Sequence, residues 1–314
     1  MVDLGMKRLW QFGKRNAFLL WLLVAFLLVD GLVAAWNPME STRRFYKNDF
    51  TKTLYHHDWE RSGPVFFGNS AVTGAYIEEQ AAYPLVEMGL AYGRITDLKG
   101  ILQHDLYQVQ RDLVIGIDVH TMIDEMDTDP TYPWFKPWYV PYLYQYRDYF
   151  RDSGEEFVRQ LWKGIVEWDR EQLFAYQPRW IDKELYFGRK DDAFLKQRWE
   201  YYDQQWGHLQ LDDFGDNLAA LEWVIDYAER HDLALKVIWM PWNPAYPHPP
   251  YVALLKEKVN RMLAEHEIPV LDAMDRYAPD YFHDLVHLNR EEGAPLFTKE
   301  VDEWLLSFAK SSKS

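Results

Sequence analysis

Cysteine is absent from the chain. Disulfides and thiolate chemistry are excluded, and the absence fits an exported protein that does without cross-links. Positive charge is scarce: 34 Lys and Arg against 49 Asp and Glu leave a formal net charge of −15. Nucleic acid is not expected as a partner, because phosphate binding needs a basic face. No internal repeat or low-complexity tract interrupts the 314 residues. Long apolar runs are confined to a single place near the start, residues 17–36.

That run reads AFLLWLLVAFLLVDGLVAAW, broken only by Asp30 and Gly31. Twenty residues at ~1.5 Å each match a hydrocarbon core of roughly 30 Å. Lys7, Arg8, Lys14 and Arg15 precede it, so the positive-inside rule expects a cytoplasmic N-terminus (1–16), a transmembrane anchor (17–36) and everything later outside. A cleaved signal peptide is the alternative, with Val33-Ala34-Ala35 as its cleavage site. Either way the remainder is expected to be extracytoplasmic. Residues 37–60 read as a polar tether, with a helix start near Met39–Thr42. His56-His57-Asp58 suggests surface or packing roles rather than metal, because adjacent histidines point apart.

From residue 64 short apolar runs alternate with amphipathic ones. Strands are predicted at 64–67, 85–88, 113–117, 235–240 and 268–271, and helices at 97–110, 217–230, 251–266 and 291–309. This alternation predicts βαβ units, a parallel sheet and a three-layer α/β/α sandwich of the flavodoxin-like kind over residues 61–312. The pattern breaks at about 122–213, an aromatic-rich, mostly helical insertion with helices near 155–169 and 191–206. Its Tyr132, Trp134, Trp138, Tyr139, Tyr142 and Tyr144 fit sugar stacking, a membrane interface or a small aromatic core.

The stretch Val65-Phe66-Phe67-Gly68-Asn69-Ser70 runs a buried strand into a serine, where open α/β sheets place their ligands. Gly68 would allow a sharp exit from the strand, and Ser70 either caps the next helix or acts as a nucleophile. Near the C-terminus Asp284 and His287 are three apart, so an aspartate can orient an imidazole that activates a serine. His283 and His287 are spaced as two metal ligands, but no third ligand is evident, so no metal and no cofactor are expected.

Gly68-Asn69-Ser70 and Asp284-x-x-His287-Leu-Asn resemble the first and last blocks of the SGNH (GDSL-type) hydrolase superfamily. The resemblance implies Ser70 as nucleophile, His287 as base and Asp284 as its orienter. It also implies an oxyanion hole from the N–H groups of Ser70 and of Gly93, with Gly89 as the other candidate. The third block's asparagine has no counterpart in Gly116-Ile117-Asp118-Val119-His120. Either His120 or a backbone N–H substitutes there, or the site is slower, and Asp118 binds substrate or a structural partner instead. Asn69, Asp118, His120, Trp134, Trp138 and Trp242 are the candidate substrate-binding residues.

An anchor before these blocks is similar to DltD-like proteins of teichoic acid D-alanylation and to polysaccharide O-acetylation proteins. That similarity, with Leu235–Pro241 as a late strand ending in proline, implies an acyl donor route through a multispanning membrane O-acyltransferase. The expected function is acetyl or D-alanyl transfer through Ser70 to hydroxyls of an envelope polysaccharide or teichoic acid. A surface esterase and a non-catalytic assembly subunit are the alternatives.

Overall fold

The computed structural model describes residues 16–126, 128–167 and 181–311. In chain order its helices and strands are α1 (Ala17–Trp36), α2 (Asp49–His56), β1 (Ser62–Asn69), α3 (Ser70–Ala75), β2 (Val86–Leu90), α4 (Ile95–Gln103) and β3 (Gln108–Ile117). There follow α5 (Tyr142–Gln145), α6 (Arg147–Glu167), α7 (Asp192–Trp206), α8 (Gly215–Arg230), β4 (Ala234–Trp239), α9 (Val252–Glu265), β5 (Val270–Asp272) and α10 (Gly293–Ser311). They fall into two compact units, one of residues 48–131 with 181–314 and a smaller one of 1–47 with 132–180.

The larger unit holds a five-stranded, all-parallel sheet in the order β2-β1-β3-β4-β5. This is the flavodoxin-like order expected from the alternation of runs. The strands are buried on both faces, which is why they read as continuous apolar runs. Phe66, Val114 and Ile238 face α3 and α10 through Val72, Ala75, Phe297 and Val301. Toward α9, the Trp239 indole N–H donates to Asn260 at 2.8 Å.

Element boundaries moved where helix ends were hidden. The predicted helix 97–110 stops at Gln103, and β3 starts at Gln108. Asp105 takes a left-handed φ of 51°, and the Leu106 N–H returns to the Ile101 carbonyl at 3.0 Å. That is a Schellman closure with an aspartate where glycine is usual. The same closure at Glu267 uses Ile268, so the last strand begins at Val270 instead of 268.

The polar tether is corrected as well. Pro38–Ser41 is a single 3₁₀ turn, and residues 48–60 belong to the larger unit. There α2 buries Phe50 and Leu54 completely, one turn apart, and Asn48 caps it by accepting the Thr51 N–H at 2.9 Å. The insertion at 122–213 is divided: 132–180 lies in the smaller unit, while 122–131 and 181–213 lie in the larger one. The predicted helix 191–206 appears as α7 with Asp191 as its N-cap. The one at 155–169 lies within α6 as far as 167, and Asp169 falls outside the described residues.

In the smaller unit α1 is long and apolar enough to cross a membrane, with a mean hydropathy of 2.5 and no buried residue. Asp30 is not left bare in this helix. Its carboxylate accepts the N–H groups of Tyr142 and Leu143 at 2.9 and 2.8 Å, capping α5. Met39, Phe45, Tyr142, Tyr146 and Tyr149 form a small buried cluster, with Tyr132 and Trp134 packed on it.

Candidate active site

Ser70 opens α3 directly beyond the end of β1. Gly68 stays in the strand rather than turning it. A Cβ there would lie 2.4 Å from Val72 Cγ2, and one on Gly116 of β3 would lie 2.5 Å from the same atom. The two glycines therefore let α3 settle close onto the sheet. The cap of α3 is Asn69, whose Oδ1 accepts the Ala71 N–H at 2.8 Å. The helix-cap role is thus filled by Asn69, and the Ser70 hydroxyl is left to other chemistry.

That hydroxyl meets the imidazole of His287, with Ser70 Oγ to His287 Nε2 at 3.0 Å. On the other side of the ring His287 Nδ1 lies 2.8 Å from Asp284 Oδ2. Asp284 also accepts the backbone N–H groups of Val286 and His287 at 3.0 and 2.9 Å. Burial alone would raise its pKa, but His287 and these N–H donors outweigh burial and bring it to about 2. A permanently ionised Asp284 fixes the proton on Nδ1 and leaves Nε2 free to accept from serine. The two residues sit on a loop rather than a helical turn. A Phe282–Leu288 bridge closes it, and Asn243 braces it by donating to the Asp284 carbonyl at 3.1 Å.

The trio opens into a cavity of about 310 Å³. Asn69, Asp118 and His120 line it, as expected. Asp118 is fully occupied as a brace: it accepts from Asn69 Nδ2 at 2.7 Å, from the His120 and Thr121 N–H groups at 2.8 Å, and from Thr121 Oγ1 at 2.7 Å. Burial raises its pKa, yet His120, Asn69 and Thr121 together hold it far below the carboxylate range. Its charge is thereby spent on structure rather than on substrate.

His120 has a different standing. Its Nδ1 faces Asp118 at 3.4 Å, and its ring is wedged edge-on between Tyr202 and Trp206 at 4.6 and 4.8 Å. Its Nε2 is buried without a hydrogen-bond partner. A buried ring nitrogen left unpaired in this cavity is a polar group awaiting a ligand atom.

Other expected residues lie elsewhere. The Gly93 N–H donates to the Leu90 carbonyl at 2.9 Å and the Gly89 N–H to Glu87 at 2.6 Å, so neither is available as an oxyanion donor. Gly93 is instead needed for space, since a Cβ would lie 2.8 Å from the Gly68 carbonyl oxygen. Trp242 is a core residue whose indole N–H donates to the Tyr246 carbonyl at 2.7 Å. Trp134 and Trp138 belong to the smaller unit, where Trp134 packs on Phe45 and Trp138 is 92% exposed.

His283 does not pair with His287 around a metal. Its Nδ1 takes the Phe187 carbonyl at 2.8 Å, and no metal-binding cluster occurs among the described residues. His57 pairs with Glu78 at 2.8 Å, which raises its pKa through that hydrogen bond.

Several cavity residues carry no sequence motif. Tyr186, on the irregular strap 181–190, stacks flat on His287 at 3.7 Å and 11°. Its backbone carbonyl accepts the Arg290 N–H at 2.8 Å, which pins the strap beside the trio. Arg198, Tyr202 and Trp206 line the cavity from α7 at i, i+4 and i+8, a spacing visible in the sequence once the helix is granted.

Compared with known proteins by sequence, the chain matches no protein-family model and no curated protein.

Proposed function

We propose that the chain is a membrane-anchored serine acyltransferase of the SGNH kind, working on a hydroxyl-bearing polymer outside the cytoplasmic membrane. The observation that carries the reading is the unbroken relay from Ser70 Oγ through His287 to Asp284, at 3.0 and 2.8 Å. It is mounted at the carboxyl ends of parallel strands, the usual ligand edge of such a sheet. The basic residues before α1 support an outward-facing larger unit through the positive-inside rule.

In the first half-reaction Ser70 Oγ attacks the carbonyl carbon of an acyl ester or thioester, and its proton passes to His287 Nε2. Collapse of the tetrahedral adduct breaks the bond to the leaving group, which departs with that proton. An acyl-Ser70 ester remains. His287 then takes the proton of an acceptor hydroxyl, whose oxygen attacks the ester carbonyl; the acyl–Oγ bond breaks, and His287 returns the proton to Ser70 Oγ. Tyr186, flat against His287, holds the plane of the imidazole through both halves. The Ser70 N–H and His120 Nε2 are the donors assigned to the oxyanion. Acetyl or D-alanyl is the acyl group proposed, a wall polysaccharide or teichoic acid the acceptor, and a multispanning O-acyltransferase the donor-side partner.

The test is to give the purified chain an activated acyl ester with and without an envelope glycan. Acyl glycan formation that disappears in Ser70→Ala is the expected result. Free acid alone, at one rate in both mixtures, would identify a deacylase instead. Failure of a serine-directed phosphonate to label Ser70 would leave only an assembly role.

A further inference from the structure

The strap 181–190 brings a further group to the Ser70 hydroxyl. We propose that the Tyr186 phenol is a catalytic hydrogen-bond donor to Ser70 Oγ, acting chiefly when the acyl group leaves that oxygen. This deepens the reading of Ser70 as an acyl-transfer nucleophile and rests on it.

Tyr186 is buried and lines the same cavity as Ser70 and His287. Its ring lies on the imidazole with centroids 3.7 Å apart and planes 11° apart. From that stack its phenol comes within hydrogen-bonding reach of the Ser70 hydroxyl. Ser70 Oγ is thus met by two nearly parallel rings: by His287 Nε2 at 3.0 Å, and by the phenol. A hydroxyl has one proton to give and two lone pairs to fill. Asp284 keeps His287 Nδ1 protonated, so the serine proton goes to Nε2 and the phenol proton is the one that points at Oγ.

Burial raises the Tyr186 pKa above the usual tyrosine value, and the charges of Glu184 and Asp284 add to the rise. At neutral pH the phenol therefore keeps its proton and can donate it to a hydrogen bond. The strap is tied down on both sides of the ring. Lys183 pairs with Glu87 at 2.8 Å, the Gly188 N–H donates to Glu291 at 2.9 Å, and Tyr186 itself accepts the Arg290 N–H. Stacking alone would need no hydroxyl, since a phenylalanine ring covers the imidazole equally well.

The two half-reactions use this donor unequally. In the free enzyme Oγ is a hydroxyl oxygen and a good acceptor, so the phenol is already bonded to it before attack. In the acyl-enzyme Oγ is the alkoxy oxygen of an ester, a poor acceptor because its lone pair is delocalised into the carbonyl. When the acyl–Oγ bond breaks, its electron pair returns to Oγ and the proton comes back from His287. The bond from the phenol strengthens along that step, which is binding gained in the transition state. Tyr186 keeps its own proton throughout, and His287 remains the acid and the base.

Tyr186→Phe removes the donor and keeps the stack. The full-length chain in detergent is given p-nitrophenyl acetate, with glycerol or water as acceptor. The burst of p-nitrophenol reads acylation, and decay of acetyl-Ser70 by intact mass reads transfer. Acylation by Tyr186→Phe should stay within about threefold of wild type. Decay of acetyl-Ser70 should slow about tenfold or more, so that the acetyl-enzyme accumulates. Incorporation of 3-fluorotyrosine at 186, a stronger donor of nearly the same shape, should keep or raise the decay rate, and this holds the test open if Tyr186→Phe does not fold. Decay at the wild-type rate in Tyr186→Phe overturns the proposal. Equal slowing of both steps overturns it too, leaving the ring a part in shape alone. Wild-type Ser70 that takes no acetyl group would instead sink the acyl-transfer reading, and the proposal with it.

Discussion

At the scale of single residues, the site is defined by which polar groups are already committed. Asp118 is, and His120 Nε2 is not. His120→Ala is therefore expected to lower kcat of acyl transfer by about 10²–10³, the usual cost of one oxyanion donor. His120→Asn should recover part of the loss by restoring a neutral donor. Asp97, buried at the start of α4, shows the opposite behaviour to Asp284. Burial pushes it up to about 6, against the hydrogen bonds from Thr128 and the Arg94 N–H. Between about pH 4 and 6 the folded chain holds a proton there that the unfolded chain has released, so stability falls as pH rises through that window. Relative to Asp97→Asn, the wild type should lose about 2–3 kcal/mol from pH 4 to pH 6 by denaturant unfolding.

At the scale of elements, α3 and the strap 181–190 together set the position of His287. A Cβ on Gly74 would lie 3.0 Å from Tyr186 Cδ2 and 3.3 Å from His287. Gly74→Ala should displace that stack and cost about tenfold or more in kcat with little change in melting temperature. The strands were legible in the sequence because both faces of a parallel sheet are covered, so each strand is an unbroken apolar run. The trio was legible because each member sits beside its own strand end or loop closure. The strap was not, since it has no period and is held by backbone bonds such as Lys190 N–H to the His283 carbonyl. Neither was α2, whose inward stripe is only Phe50 and Leu54 amid charged neighbours. Gly93 misled for a related reason: a glycine after a strand can donate its N–H or merely make room, and only the turn decides.

At the scale of the whole chain, the trio and its cavity belong entirely to the larger unit, while α1 belongs to the smaller. Removing residues 1–36 should release the protein from the membrane fraction on ultracentrifugation, with phosphonate labelling of Ser70 retained. The same removal deletes Asp30 and leaves the Tyr142 and Leu143 N–H groups without their acceptor. That contact has a history as well as an energy. Its partners are 112 and 113 positions apart, so Asp30 leaves the ribosome long before anything can satisfy it. At roughly 5–20 residues per second the interval is on the order of 6–20 s. If α1 enters a membrane, its Asp30 carboxylate would have to stay near water during that interval, until residues 142–145 are made. Where α1 comes to lie in a membrane would then depend on folding after insertion as well as on the hydropathy of the run.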